Sequence, residues 1–131
     1  MANVPALLVT HADLGAALLR AAVRVYGPAE DVNVLSNEGM SRDQLEKEIE
    51  DQVVLWEHGG LILTDFWGGS CHLCGIAAAR GHGEIIVVTG LNLPLLLDYL
   101  HNRGALGPRD LAERLQQKGR DSIRLHHDLN A

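Results

Sequence analysis

Aromatic residues are scarce in this chain: one Phe, two Tyr and two Trp among 131 residues. Glycine, by contrast, occurs 14 times. A core must therefore be built from aliphatic and small side chains, with many turns, which suggests an α/β domain with short connections. Cysteine is almost absent. Its two copies, Cys71 and Cys74, lie three positions apart, so they cannot staple distant parts of the chain, and a cytoplasmic setting is expected. Long hydrophobic runs are missing as well. The longest are about five to seven residues, far short of a membrane span. The start, MANVPALLVT, lacks a basic leader, and polar residues follow soon after, so no secretory segment is expected. Basic residues are outnumbered, 11 Lys and Arg against 17 Asp and Glu, for a formal charge of −6. That balance argues against a general nucleic-acid binder, because phosphate backbones attract basic surfaces.

What remains is 47% hydrophobic and 21% charged, the composition of a globular chain long enough to bury a core. Residues 1–131 are read as one domain. The apolar pattern alternates between strand-like and helix-like pieces. Strands are expected at Ala6–Thr10, Asp31–Leu35, Leu61–Thr64 and Glu84–Thr89, with a short edge strand at Ser122–Leu125. Helices are expected at 12–26, with a stripe of Leu14, Leu18, Ala21, Ala22 and Val25, and at 42–58 behind a Ser41/Gln44 capping box and ahead of Gly59-Gly60. Three more are expected at 71–80, at 95–102 and at 108–118, the last stopped by Gly119. The polar tail His126–Ala131 is expected to fray. The architecture implied is an open, mainly parallel four-stranded α/β sheet with helices on both faces and an antiparallel edge strand at the C-terminal end.

Sites in open parallel sheets form beyond the carboxyl ends of the strands. The first strand hands over Thr10-His11, the third Asp65-Phe66-Trp67-Gly68-Gly69-Ser70, and the fourth Gly90-Leu91-Asn92. His11 at a helix start would lie among free amides that favour a negative charge. An acid on one imidazole nitrogen fixes the tautomer and leaves the other free as a nucleophile; Asp65 is the candidate acid. Gly68, Gly69 and Ser70 would offer backbone donors and a hydroxyl to a small anion. Phe66 and Trp67 divide evenly between core and the rim of a docking surface. Asn92 is placed as a helix cap.

The run Cys71-His72-Leu73-Cys74 opens a helix after a strand, and its residues carry three readings: packed side chains, a thiol–disulfide pair with a lowered Cys71 pKa, or part of a metal site completed by His11, His58 or His82. No GxxxxGK[ST] loop is present, so no nucleotide and no cofactor is expected.

Three segments, LLVTHADLGAALLRAA, GGLILTDFWGGS and VVTGLNLPLLLDYL, follow one another with a familiar order and spacing. Together they make residues 4–125 resemble the IIA domain of the mannose-type sugar phosphotransferase system. The resemblance implies an open α/β sheet and a homodimer, often formed by exchange of a C-terminal strand. It implies a phosphoryl group accepted from the phosphohistidine of the carrier protein HPr and passed to a IIB-type partner for sugar uptake. The phosphorylated histidine falls on His11, its aspartate on Asp65 and its phosphate-side serine on Ser70. Carrying these over makes Nε2 of His11 the attacking atom. The family continues GGS with Pro, a variable residue and Asn, whereas this chain has Cys71, His72 and Leu73. Two alternatives stand beside a transport role: a regulatory phosphoacceptor, and a thiol- or metal-responsive protein using Cys71 and Cys74.

Overall fold

A computed structural model describes residues 2–127. The elements run β1 (Ala6–Thr10), α1 (Leu14–Tyr26), β2 (Asn33–Ser36), α2 (Arg42–Val53), β3 (Gly60–Thr64), α3 (Ser70–Ala79), β4 (Ile85–Thr89), α4 (Leu93–Asn102) and α5 (Pro108–Asp121). The strands form one sheet in the order β2-β1-β3-β4, and every pairing is parallel. β1 and β3 are buried along their whole length, which is why both read as unbroken apolar runs rather than alternating ones.

Helices cover both faces. On one, Leu8, Leu61, Leu63 and Val88 pack with Ala22 of α1, Leu96 and Tyr99 of α4, and Leu111 and Leu115 of α5. On the other, Leu7, Val9 and Ile62 pack with Leu45, Ile49 and Val53 of α2 and with Cys71, Cys74 and Ala78 of α3. Alternate residues of one strand thus feed opposite cores, as the pleat requires. α1 leaves β1 on the first face and α3 leaves β3 on the second, so the chain departs in opposite directions from two neighbouring strands. A crevice opens at that point.

Several boundaries differ from the sequence reading, each for a packing reason. The stripe of α1 is rotated: Gly15 and Ala22 are buried and Leu18, Leu19 and Val23 are half-buried, whereas Leu14 and Val25 are exposed. Gly15 permits this, because a Cβ there would stand 2.9 Å from Thr10 Oγ1 and 3.0 Å from a methyl of Val34. α2 ends a turn early, at Val53, since Trp56 folds back over Gly60, where a Cβ would meet its ring at 2.6 Å. Gly119 does not stop α5. It lies inside that helix, buried, at a close approach to Leu95 of α4. The helix consequently runs on to Asp121, up to the residue where the expected edge strand would begin. Ser122–Leu125 forms no strand: Ser122 caps α5 in a helical conformation, its amide donating to the Lys118 carbonyl, and Ile123 and Leu125 are exposed. Part of the tail expected to fray, residues 128–131, lies outside the described residues. Among those described, no helix is long and apolar enough to cross a membrane.

The chain start is tied to the far helices by buried polar contacts. The Tyr99 hydroxyl donates to the Val4 carbonyl at 2.7 Å, and the Val4 amide donates to the Arg103 carbonyl at 2.8 Å. Arg103 in turn donates from Nη1 to both carboxylate oxygens of Asp31 at 3.0 Å. Burial pushes the Tyr99 phenol up to about 12, so it stays a donor at all ordinary pH. Tyr99→Phe leaves the Val4 carbonyl short of a partner and is expected to cost about 1–2 kcal/mol, read as a lower urea midpoint with an unchanged slope.

Candidate functional site

The parallel register sets the geometry. Val9 of β1 pairs with Thr64 of β3, so the two strands leave the sheet side by side, and Thr10-His11 emerges next to Asp65. His11 Nδ1 lies 2.8 Å from Asp65 Oδ2, and the His11 amide donates to the same oxygen at 2.9 Å. The other carboxylate oxygen accepts from the Phe66 amide at 3.2 Å. Burial alone would raise the pKa of Asp65. The hydrogen bonds from the His11 amide and ring, the charge of His11 and the acid's own backbone outweigh it, and the pKa falls below its ordinary value. An ionised carboxylate only accepts, so Nδ1 carries a proton, and in the neutral ring Nε2 is the nitrogen with the lone pair. Ser70 Oγ stands 3.3 Å from Nε2. The Asp65 side chain is 7% exposed and that of His11 35%, so the acid is sequestered while the imidazole meets solvent.

All three residues expected at the site, His11, Asp65 and Ser70, come together. The amides expected to attract an anion are distributed differently. His11 precedes the first residue of α1 by three positions, and the Gly15 amide is already taken by Thr10 Oγ1 at 2.7 Å. The start of α3 is more open: its cap, Gly69, has no side chain to accept from the first turn, which begins with Ser70. The anion-favouring helix start beside His11 is therefore that of α3 rather than α1.

The loop between β3 and α3 is shaped around two aromatics. Phe66 lies with its ring 5.0 Å from that of His11 and against Gly69, where a Cβ would come within 2.7 Å of the ring. Trp67 stacks on His72 at 4.4 Å, and the His72 Nδ1 accepts from the Gly68 amide at 2.9 Å. Phe66 and Trp67 are 53% and 77% exposed, which settles them on the rim rather than in the core. Asn92 caps α4 as expected, accepting from the Leu95 amide at 3.0 Å.

Two contacts at the site were not anticipated. The side chain of Asn37, just past β2, accepts from the Ala12 amide at 3.2 Å. Ala12 has φ 51°, a left-handed conformation uncommon outside glycine, and Asn37 helps to hold it. Thr10, fully buried, anchors the start of α1. Asn37 directly follows β2 in the structure, but the sequence reading ended that strand one residue early, at Leu35, so the rule that found His11 and Asp65 pointed to Ser36 instead.

The cysteines behave otherwise than a helix start suggests. Burial, helped by the charge of Asp65, pushes the Cys71 thiol up to about 11, and burial also raises Cys74. Both are free thiols inside the core beneath the sheet. Of the metal ligands suggested by sequence, His58 lies at 3.8 Å from Glu57 and His82 at 3.6 Å from Glu50, and neither joins Cys71. His11, the third histidine suggested, does: ligand atoms of His11, Asp65 and Cys71 all lie within 4.8 Å of one another.

The family model of the PTS system fructose IIA component, EIIA-man, matches residues 6–116. The chain belongs to this family. A sorbose-specific EIIA component of the phosphotransferase system from Klebsiella pneumoniae is 29% identical over 114 residues, covering 86% of this chain and 84% of that protein. Among solved structures, an EIIA component from Streptococcus agalactiae superposes with a TM-score of 0.86 at 22% identity, covering 92% and 95% of the two chains. A mannose/sorbose-specific IIA subunit from Enterococcus faecalis gives 0.85 at 17% identity over 99% of each. At these identities the structures speak for the shared fold. Family membership places this IIA chain in the sugar phosphotransferase system and supports a phosphotransfer role.

Because the Asp65 pKa is depressed in the folded state, its pairing stabilises the protein above the ordinary value of 3.8 and is lost as pH falls through the folded value. Asp65→Asn is expected to remove about 1.5 kcal/mol at neutral pH. The gap to the parent should close as pH falls below that ordinary value, followed by urea unfolding at stepped pH.

Proposed function

We propose that His11 is the phosphoryl acceptor of this IIA chain, taking the group from phosphohistidine on an HPr-like carrier and passing it to a IIB-type partner for sugar uptake. The observation that carries the reading is the oriented imidazole: Asp65 holds Nδ1 at 2.8 Å, and Nε2 faces Ser70 at a partly exposed surface. In the step, Nε2 uses its lone pair to bond to phosphorus while the bond to the donor's ring nitrogen breaks, and that nitrogen keeps the electron pair. Asp65 stabilises the positive charge that builds on the His11 ring. Ser70 and the open first turn of α3 face the transferred oxygens, and positioning and electrostatics supply most of the acceleration. The exposed rings of Phe66 and Trp67 offer apolar contact to a docking carrier. No nucleotide and no cofactor enters the step.

The raised Cys71 and Cys74 thiols speak against thiolate chemistry as the main activity. The exchange is assigned to the cytoplasm. A homodimer belongs to the reading: no strand among the described residues covers the outer edge of β4, and a groove lined by Trp67, Val87, Thr89 and the exposed Ile123 runs along it. Sedimentation velocity should give twice the monomer mass of 14.2 kDa.

Incubation with labelled phosphoenolpyruvate, enzyme I and HPr is expected to yield an acid-labile, alkali-stable label on the parent and none on His11→Ala. Ser70→Ala should slow labelling about tenfold or more. Equal labelling of the parent and His11→Ala refutes the assignment. Discharge of the label onto a IIB subunit separates transport from a purely regulatory phosphoacceptor.

A further inference from the structure

Cys71 is fully buried, yet it is a neighbour of the His11–Asp65 pair. Its Sγ, a carboxylate oxygen of Asp65 and an imidazole nitrogen of His11 lie within 4.8 Å of one another. These are three different donor types converging from two strand ends and the first turn of α3. In a tetrahedral zinc site, bond lengths of about 2.0–2.3 Å place neighbouring ligand atoms about 3.3–3.8 Å apart. A pair at the 4.8 Å limit must close by about 1.0–1.5 Å to reach that spacing, and if Nδ1 is the ligand nitrogen its 2.8 Å contact with Asp65 must open by about 0.5 Å or more. All three side chains sit at the ends of rigid elements, and His11 alone is partly open to solvent.

We propose that His11, Asp65 and Cys71 form a binding site for a thiophilic divalent cation such as zinc, and that occupancy of this site switches off phosphoryl acceptance. A nitrogen, a thiolate and a carboxylate form the mixed set that zinc takes, whereas magnesium and calcium prefer all-oxygen sites. Three protein ligands leave one position for water on the exposed side of His11. On binding, the Cys71 thiol releases its proton to solvent and the sulfur coordinates as thiolate.

The effect on His11 does not depend on which nitrogen binds. A neutral imidazole has one lone pair and one N–H. A metal on Nε2 consumes the lone pair directly. A metal on Nδ1 displaces the proton held toward Asp65, and the neutral ring then carries its proton on Nε2. Either way no nucleophilic nitrogen remains. This second half of the proposal rests on His11 being the acceptor, whereas the metal site itself stands on the geometry alone.

Cobalt(II) serves as a spectroscopic stand-in for zinc. Titration of the metal-free protein is expected to give a thiolate-to-cobalt charge-transfer band saturating at one equivalent and bleached by zinc. Cys71→Ser and Cys71→Ala should lose the band, and Cys74→Ser should keep it. Absence of the band in the parent protein overturns the site without any variant being needed. A band that survives in a folded Cys71 variant overturns it as well. For the switch, the labelling rate is measured with and without one equivalent of zinc. A drop of at least tenfold, reversed by a chelator, is expected for the parent. In each Cys71 variant the ratio of the two rates should stay near one, whatever its metal-free rate. A parent that binds cobalt but is labelled equally fast with zinc refutes the switch and leaves the site. A parent that binds cobalt and is never labelled at His11 refutes the acceptor reading and leaves the metal site in place.

Discussion

A carboxylate and an imidazole 54 residues apart in sequence meet at 2.8 Å because two parallel strands end level with each other. The pair is held twice, through the ring and through the His11 amide, both to the same oxygen. The second contact matters as much as the first. It fixes the backbone of His11 to the end of β3, so the ring cannot drift without breaking a hydrogen bond to a sequestered acid. Every other feature of the crevice is arranged around this constraint. α1 and α3 leave on opposite faces, Phe66 lies beside the ring, Ser70 reaches its far nitrogen, and Asn37 steadies the turn that follows.

Close approach at glycines makes the arrangement feasible. Gly15 lets α1 settle onto Thr10 and Val34, and Gly69 lets the ring of Phe66 fold over the loop that leads to Ser70. Neither role concerns backbone freedom, since both residues have ordinary φ. In this loop the glycine in a left-handed turn is Gly68, φ 89°, between the two exposed aromatics and the cap of α3. A loop so built presents apolar rings to a partner while keeping the amides at the start of α3 beside the imidazole.

Cys71, in the first turn of α3, shows how one position can acquire two consequences. Its side chain serves the core beneath the sheet, and its thiol is held protonated by burial and by the nearby carboxylate. The same proximity that suppresses the thiolate in the free protein brings sulfur close enough to share a cation with His11 and Asp65. Packing and ligand chemistry are therefore two outcomes of one position.

The periodicity of the sequence determined the strands, the alternation with helices and the parallel sheet, because fully buried parallel strands and amphipathic helices leave distinct patterns. The capping box at Ser41 and Gln44 and the cap at Asn92 were equally legible, since both are local. The residues at the strand ends, His11, Asp65 and Ser70, could be named from that order, with the family resemblance supplying a reaction. Contacts between distant segments were not legible. Whether Gly119 ends a helix or packs inside one depends on Leu95, 24 positions away. The stripe of α1 depends on which residue touches Thr10, and the end of α2 on where Trp56 folds. The expected edge strand is missing, and its first residue, Ser122, instead caps an α5 that runs on to Asp121. The thiol of Cys71 follows the same logic: a helix start lowers a thiol's pKa only while water can reach it, and the tertiary fold decided that water cannot.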